Sequence, residues 1–231
     1  MFKHRSYELE RIDTGDYTAV EYEACLSDLR FINRWIGDAW ALRKTLLRDI
    51  ETKNLKEFSV LDVGAGSGEL LREIAKFART TKRKAKLHGL ELNAVSVKSI
   101  QTESADFPEI KSIRGTAFSL PFADKSIDYT ICSLFTHHFT DENVTEILRE
   151  FSRVSRLGIF VIDLHRHPIA YALYKGFCFF CGISKMVLED GSLSVLRGFK
   201  PNELKGLGEK ANLENISVER HFPFRLVLTA R

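Results

Sequence analysis

An α/β fold with a doubly wound, mostly parallel sheet is predicted by three features of the 231-residue chain. Short apolar, β-branched runs alternate with stretches of helical period. A glycine-rich turn closes the first of those runs. The last two runs are joined closely enough to pair as an antiparallel hairpin. The length suits one large domain, and 44% apolar with 28% charged residues allows a packed core and excludes wholesale disorder.

The first stretch, Thr18 to Lys53, reads as helical. Tyr22, Cys25, Leu26, Leu29, Ile32 and Ile36 fall at spacings of three and four. A second piece, Ala39 to Ile50, carries Trp40, Leu42, Leu46 and Leu47, and no Pro or Gly linker separates it from the first strand. Residues 1–56 are therefore expected to form a helical cap on a main domain at 57–231. Strand–helix alternation begins at Phe58–Val63, followed by a helix bearing Leu70, Leu71, Ile74, Ala75 and Ala78. Lys86–Glu91 is a second strand, Ala94 to Glu103 a helix, Ile113 a short third strand, and Ser126–Leu134 a fourth, apolar enough to be buried on both faces. Thr140 is a good N-cap, Asp141 and Glu142 suit a helix start, and Val144, Ile147, Leu148, Phe151 and Val154 make the stripe. A fifth strand, Leu157–Leu164, precedes a long apolar helix from Pro168 through Ile183. Pro201 opens a late helix, and Ile216–Phe222 with Phe224–Ala230 form the closing hairpin.

Thirty-four Lys+Arg against 31 Asp+Glu give a net charge of +3, too mild to indicate nucleic acid. Cys25, Cys132, Cys178 and Cys181 have no disulfide-framework spacing. The polar N-terminus has no leader-like apolar core, and the most apolar stretch, Ile169 to Ile183, is too short to span a membrane. A reduced, cytoplasmic location is the expectation.

Gly64 and Gly66 permit a tight turn and let a ligand lie against the backbone. A dinucleotide site wants G-x-G-x-x-G, with diphosphate on the helix N-terminus. Here the glycines stand at 64, 66 and 68, and Glu69 occupies the third position beyond Gly66. A carboxylate there repels diphosphate, which disfavours a dinucleotide.

Asp62-Val-Gly64-Ala65-Gly66-Ser-Gly68 resembles motif I of the class I S-adenosylmethionine-dependent methyltransferases. The resemblance runs from about Phe58 to Leu164. Glu91, in Gly89-Leu-Glu-Leu92-Asn93, stands where that family holds the ribose hydroxyls. Gly115-Thr116-Ala117-Phe-Ser-Leu-Pro-Phe122 is similar to the family's G-D-A-x-x-L-P-F segment, with Thr116 in place of the Asp that takes the adenine amino group. Ser133 and Leu134 close the fourth strand, and His137-His138-Phe139 resembles the loop that comes after it. The resemblance implies a Rossmann-like seven-stranded sheet, S-adenosylmethionine as methyl donor (S-adenosylhomocysteine as product), and Asp62, Gly64, Ala65, Gly66, Gly68, Glu91, Leu92, Thr116, Ala117, Ser133 and Leu134 around it.

Methyl transfer from a sulfonium needs chiefly alignment, and a hydroxyl acceptor benefits from a base near neutral pKa. Ligands bind beyond the C-terminal strand ends at the switch in strand order. That rule selects Ser133, Phe135, Thr136, His137 and His138 after the fourth strand, and Asp163, His165, Arg166 and His167 after the fifth. His165 is the first candidate base, against the plainer reading of a loop histidine paired with Asp163. His137 and His138 are the other candidates, against one structural and one solvated ring. Arg166 holds an acidic acceptor or faces solvent, and Asn33-Arg-Trp35 reaches the donor carboxylate from the cap. Cys178 and Cys181 could be read as metal ligands with His165 and His167, but they lie in an apolar helix without a second cysteine pair. Core thiols and no metal are the expectation. Tyr171, Tyr174, Phe177, Phe179 and Phe180 are read as core, as the lining of an apolar acceptor pocket, or both. Lys76, Arg79, Lys82, Arg83, Lys84 and Lys86 are read as a solvated connection, with RNA contact as the alternative.

The expected function is methyl transfer to a small, largely apolar or aromatic acceptor, by O- or C-methylation, in biosynthetic metabolism. The rivals are an RNA or protein methyltransferase and a non-catalytic donor-binding scaffold. Against the first, Ser133-Leu-Phe-Thr136 stands where an Asn/Asp-Pro-Pro-Tyr amino-methylation motif would be.

Overall fold

The computed structural model describes residues 1–14 (backbone only at 13), 17, 18, 21, 25, 28, 32 and 38–231. Much of the helix expected over Thr18–Lys53 lies outside the described residues, including Tyr22, Leu26, Leu29, Ile36 and the Asn33-Arg-Trp35 segment. A short helix α1 (Arg11–Thr14) is followed by α2, built from Ala39–Leu42, a π-helical turn Arg43–Leu47 and Arg48–Thr52. The strands are β1 (Glu57–Val63), β2 (Lys84–Glu91), β3 (Ile110–Arg114), β4 (Ile127–Ser133), β5 (Ser155–Leu164), β6 (Ser217–His221) and β7 (Arg225–Ala230). Between them lie α3 (Glu69–Thr80), α4 (Ala94–Glu103), α5 (Asp141–Val154), α6 (Pro168–Cys181), α7 (Lys185–Arg197) and α8 (Pro201–Lys210).

The sheet order is β3-β2-β1-β4-β5-β7-β6, parallel throughout except for β7, which pairs antiparallel with both β5 and β6. The chain winds outward from β1 to β3 and then restarts beside β1 at β4. That reversal leaves a crevice at the C-terminal ends of β1 and β4. Alternate residues of each strand enter opposite cores. Leu61, Val63, Cys132, Val161 and Leu228 pack against α5 and α8, whereas Val60, Ile131, Phe160 and Val227 pack against α3 and α2. Leu42, Leu46, Leu47 and Ile50 of α2 are buried in that second core, so α2 shares the sheet's own hydrophobic contacts.

Local chemistry sets the helix ends. The Thr140 hydroxyl accepts the Asn143 N–H at 3.3 Å, and the Asn93 side chain accepts that of Val95 at 2.8 Å. Pro168 and Pro201 occupy first-turn positions. Two elements differ from the sequence-based expectation. β3 covers five residues around Ile113. The apolar helix ends at Cys181, with Gly182 at φ +64°, and a further helix, α7, occupies a stretch in which the sequence pattern marks no element. Gly191 hides α7 from a propensity reading. It is needed because a Cβ there would lie 2.0 Å from the Tyr174 hydroxyl, which donates to the Val187 carbonyl at 2.7 Å. Among the described residues no helix is long and apolar enough to cross a membrane.

Candidate active site

Glycine is required at 64 and 66 for different reasons. Gly64, at φ +72°, lies so close to the Phe135 ring that a Cβ would sit 2.4 Å from it. Gly66, at φ +58°, would place a Cβ in open space with nothing within 4 Å. Its N–H donates to Glu91 Oε1 at 2.6 Å, and the Gly115 N–H donates to the Glu91 carbonyl at 3.0 Å. The glycine turn, the end of β2 and the turn carrying Thr116 and Ala117 are thus held together around one acidic residue. Burial pushes the Glu91 carboxyl up, against the pull of the Gly66 and Leu92 N–H groups. Asp62 is buried near the end of β1, with Oδ1 lacking a partner among the described residues. Burial and then the neighbouring Glu91 charge raise its carboxyl well above the usual range. Leu92 is exposed beside this cradle, Ala117 is buried, and the Thr116 hydroxyl accepts the Phe118 N–H at 3.3 Å.

At the end of β4 the Ser133 hydroxyl donates to Asp38, and Leu134 takes a left-handed φ of +49°. Such backbone strain persists only where surroundings enforce it. Here the Leu134 N–H is fixed to the Ile162 carbonyl at 2.9 Å. Asp163, fully buried, then gathers the next turn. It accepts the Thr136 hydroxyl at 2.5 Å, the His137 N–H at 3.0 Å and the Leu164 N–H at 2.7 Å, and pairs with His137 Nδ1 at 2.6 Å. Burial alone would raise this carboxyl, but His137 and the hydrogen bonds hold it well below its ordinary range. The carboxylate–histidine pair is therefore formed by His137, not by His165. His137 is buried, and the His138 ring packs against it, tilted by 34° with ring centroids 4.2 Å apart. His138 Nδ1 lies 4.0 Å from Glu10 Oε1.

Sequence reasoning did not single out the groups that brace this turn. Arg5 Nη2 donates to the His137 and Phe139 carbonyls at 3.3 and 3.1 Å, and Arg197 donates to the His137 and His138 carbonyls at 3.2 and 2.7 Å. Asp38 joins Ser133 to Arg225 at the start of β7. None of these lies within a motif, and each acts across more than fifty residues of sequence; only the burial of a charged side chain marks them. Among the described residues Glu10, His137 and His138 alone bring three metal-ligating atoms within 4.8 Å of one another. Cys178 and Cys181 do not join such a group; the first is buried and the second exposed.

His165 lies apart from the glycine turn, in a groove of about 940 Å³ that it shares with His167, Arg220, His221, Phe222 and Phe224. Burial, followed by the Arg220 and His167 charges, pushes its imidazole down to about 4. It is therefore neutral at pH 7 and a weak base. Arg166 neither faces solvent nor is open to an acceptor. It is buried, with Nη1 on the Gly198 carbonyl at 2.6 Å, Nε on the Phe2 carbonyl at 3.2 Å and Nη2 on Glu203 at 2.5 Å. The basic run sits at the opposite, N-terminal edge of the sheet, where Arg79 pairs with Glu109, Lys84 with Glu57 and Lys76 with Glu73.

This arrangement belongs to a known class. Residues 60–158 match the family model for a methyltransferase domain, and this match together with the relatives and structural neighbours supports a class I S-adenosylmethionine-dependent methyltransferase. It is similar to the uncharacterized methyltransferase YcgJ of Bacillus subtilis (strain 168), at 31% identity over 115 residues, 48% of this chain and 42% of that protein. It is also similar to the ubiquinone/menaquinone biosynthesis C-methyltransferase UbiE of Rickettsia prowazekii (strain Madrid E), at 34% over 110 residues, 45% of this chain and 42% of that protein. The chain spans about half the length of the curated relatives it matches. The fold resembles that of magnesium protoporphyrin IX methyltransferase (ChlM) from Synechocystis PCC 6803, solved with bound S-adenosylhomocysteine. That likeness has a TM-score of 0.63 over 92% of this chain and 94% of the other, at 12% identity.

Proposed function

We propose that this protein transfers a methyl group from S-adenosylmethionine to a small, largely apolar acceptor, by O- or C-methylation, in a biosynthetic step. One observation carries the reading. An open glycine cradle over Gly66 is backed by two carboxyl groups, Asp62 and Glu91, whose ionisation burial opposes. Such a site is complementary to a ligand that brings positive charge, and the sulfonium and ammonium of this donor do so. It suits a dinucleotide diphosphate poorly. When bound, S-adenosylmethionine supplies a methyl carbon already attached to a good leaving group.

The chain's own residues bind and orient the two reactants. The backbone of Gly64, Ala65, Gly66 and Gly68 admits the donor closely, and Glu91 accepts from its hydroxyls. Leu92 and Ala117 provide apolar surface, and Thr116 offers its oxygen at the far edge of the cradle. Ser133 and Leu134 form the wall toward the acceptor. Of the three candidate histidines, His138 is assigned the proton from an acceptor hydroxyl or enol. Its ring is the accessible member of the packed pair, with 28% of the side chain exposed. The Glu10 carboxylate 4.0 Å from Nδ1 favours the cation that results. His137, locked to Asp163, positions the turn beneath it, and His165 lines the neighbouring groove as a neutral ring. The C-methyltransferase name of the Rickettsia relative supports a carbon acceptor among the possibilities.

Calorimetric titration with S-adenosylmethionine, S-adenosylhomocysteine and NAD tests the donor assignment. Micromolar binding of either of the first two, with none of NAD, is expected; binding of NAD alone would overturn it.

A further inference from the structure

Helix α6 carries a second apolar face that nothing in methyl transfer requires. Ala170 and Cys178 are buried toward the protein, with Tyr174 on the same side. On the other side Ile169 is 55% exposed, Leu173 59%, Phe179 80% and Phe180 86%, and Ala172 is exposed between them. With Gly176 these positions recur at intervals of three and four and fall within an arc of about 120° on a helical projection. The stripe is about 16 Å long at ~1.5 Å per residue. Four large apolar side chains side by side on the surface mark an interaction site, whereas scattered ones would need no explanation.

The surrounding charge indicates what the stripe meets. From Leu164 to Leu188 the chain contains Arg166, Lys175 and Lys185 and no Asp or Glu. Arg166 is internal, but Lys175 and Lys185 are exposed, the latter 3.6 Å from Glu189. Cations flanking an apolar, aromatic face fit an anionic lipid surface. A second copy fits worse, because Lys175 lies near the middle of α6 and a twofold pairing of stripes would bring the two ammonium groups together. The helix also leads to the groove: His167 and Pro168 at its start line that cavity, as does Phe222, itself 75% exposed.

We propose that α6 is a membrane-docking helix that lies flat on an anionic bilayer, with Ile169, Leu173, Phe179 and Phe180 inserted at the interface. Its 14 residues reach about 21 Å, short of the ~30 Å hydrocarbon core, so it lies on the membrane and does not cross it. Docking brings the groove mouth to the lipid phase, so that an apolar acceptor can enter without crossing water. That last consequence rests on the proposed function; the docking does not.

The test is co-sedimentation of the full chain with extruded phosphatidylcholine vesicles, with and without phosphatidylserine. It compares wild type with the F179S/F180S double variant and with K175E. Wild type is expected to sediment with the mixed vesicles and more weakly with phosphatidylcholine alone. F179S/F180S is expected to lose on the order of tenfold or more in partitioning, and K175E to lose mainly the phosphatidylserine dependence. Donor titration and the far-UV spectrum of F179S/F180S are expected to match wild type, which separates loss of docking from loss of folding or of the methyltransferase site. Failure of wild type to sediment, or equal sedimentation of the double variant, would overturn the proposal. So would a wild-type dimer in sedimentation velocity that F179S/F180S abolishes, since the stripe would then be covered by a second copy.

Discussion

Gly64 and Gly66 separate two effects that one motif conceals. Gly64→Ala must accommodate both a φ of +72° and a Cβ 2.4 Å from the Phe135 ring. Its expected cost is about 2–4 kcal/mol of stability, read as a lower denaturation midpoint. Gly66→Ala meets no protein atom and costs only its dihedral strain, about 1 kcal/mol, yet it intrudes on the proposed donor cradle. It is expected to fold and to lose donor affinity by calorimetry; normal affinity would remove the site from this loop. Asp62 adds a sign that stability measurements can read. Its folded carboxyl titrates above its unfolded value, so its contribution is fully present at low pH and is lost as pH rises through the folded value. Asp62→Asn is therefore expected to raise the thermal midpoint of the ligand-free protein at neutral pH while weakening donor binding. The glycine turn and Glu91 were legible in the sequence because backbone geometry and charge confine those positions to few residue types. The pairing of Asp163 with His137 was not. Four histidines near the strand ends are chemically alike, and only the folded turn decides which one reaches the carboxylate.

The β1-to-β5 alternation, the Thr140 cap and the closing hairpin announced themselves through period and punctuation. Helix α7 escaped because its interior glycine serves a partner on another helix, and its role is likewise tertiary. Through Arg197, α7 grips the carbonyls of the 136–139 turn, while the N-terminal segment grips the same turn through Arg5. Arg197→Met removes the donor to the His138 carbonyl and leaves the His137 carbonyl to Arg5 alone, at an expected cost of about 2–4 kcal/mol. Urea denaturation is expected to show that loss. Donor affinity is expected to survive, because Arg197 holds the 136–139 turn and the Glu8 carbonyl, away from the glycine turn, whereas turnover is expected to fall as His138 loses its fixed position. Equal loss of donor binding would show that the two halves of the site are not separable.

For the molecule as a whole, donor binding and folding are linked. A ligand at a hundred times its dissociation constant stabilises the native state by about 2.7 kcal/mol, which for a chain of this size is a midpoint shift of roughly 5–10 °C. S-adenosylhomocysteine is expected to produce such a shift and NAD none. Acid acts in the other direction. His165, moved from 6.5 to about 4 on folding, contributes stability that is present above pH 6.5 and lost as pH falls toward 4. Asp163, held low, contributes stability that is lost only further into acid. Between pH 7 and 5 the thermal midpoint of wild type is therefore expected to fall more steeply than that of His165→Asn; parallel curves would show that this imidazole is not depressed.

The contact between Gly64 and Phe135 has a consequence for how such a protein could change its chemistry. On the proposed reading, the Phe135 ring, next to Ser133 and Leu134, supports the glycine turn from the acceptor side of the site. Trimming residue 135 to admit a bulkier acceptor would leave a void under the glycine turn, and enlarging it would push that turn upward. Acceptor range and donor grip are thus tied at this position, and a lineage altering one there would have to adjust the other in the same step.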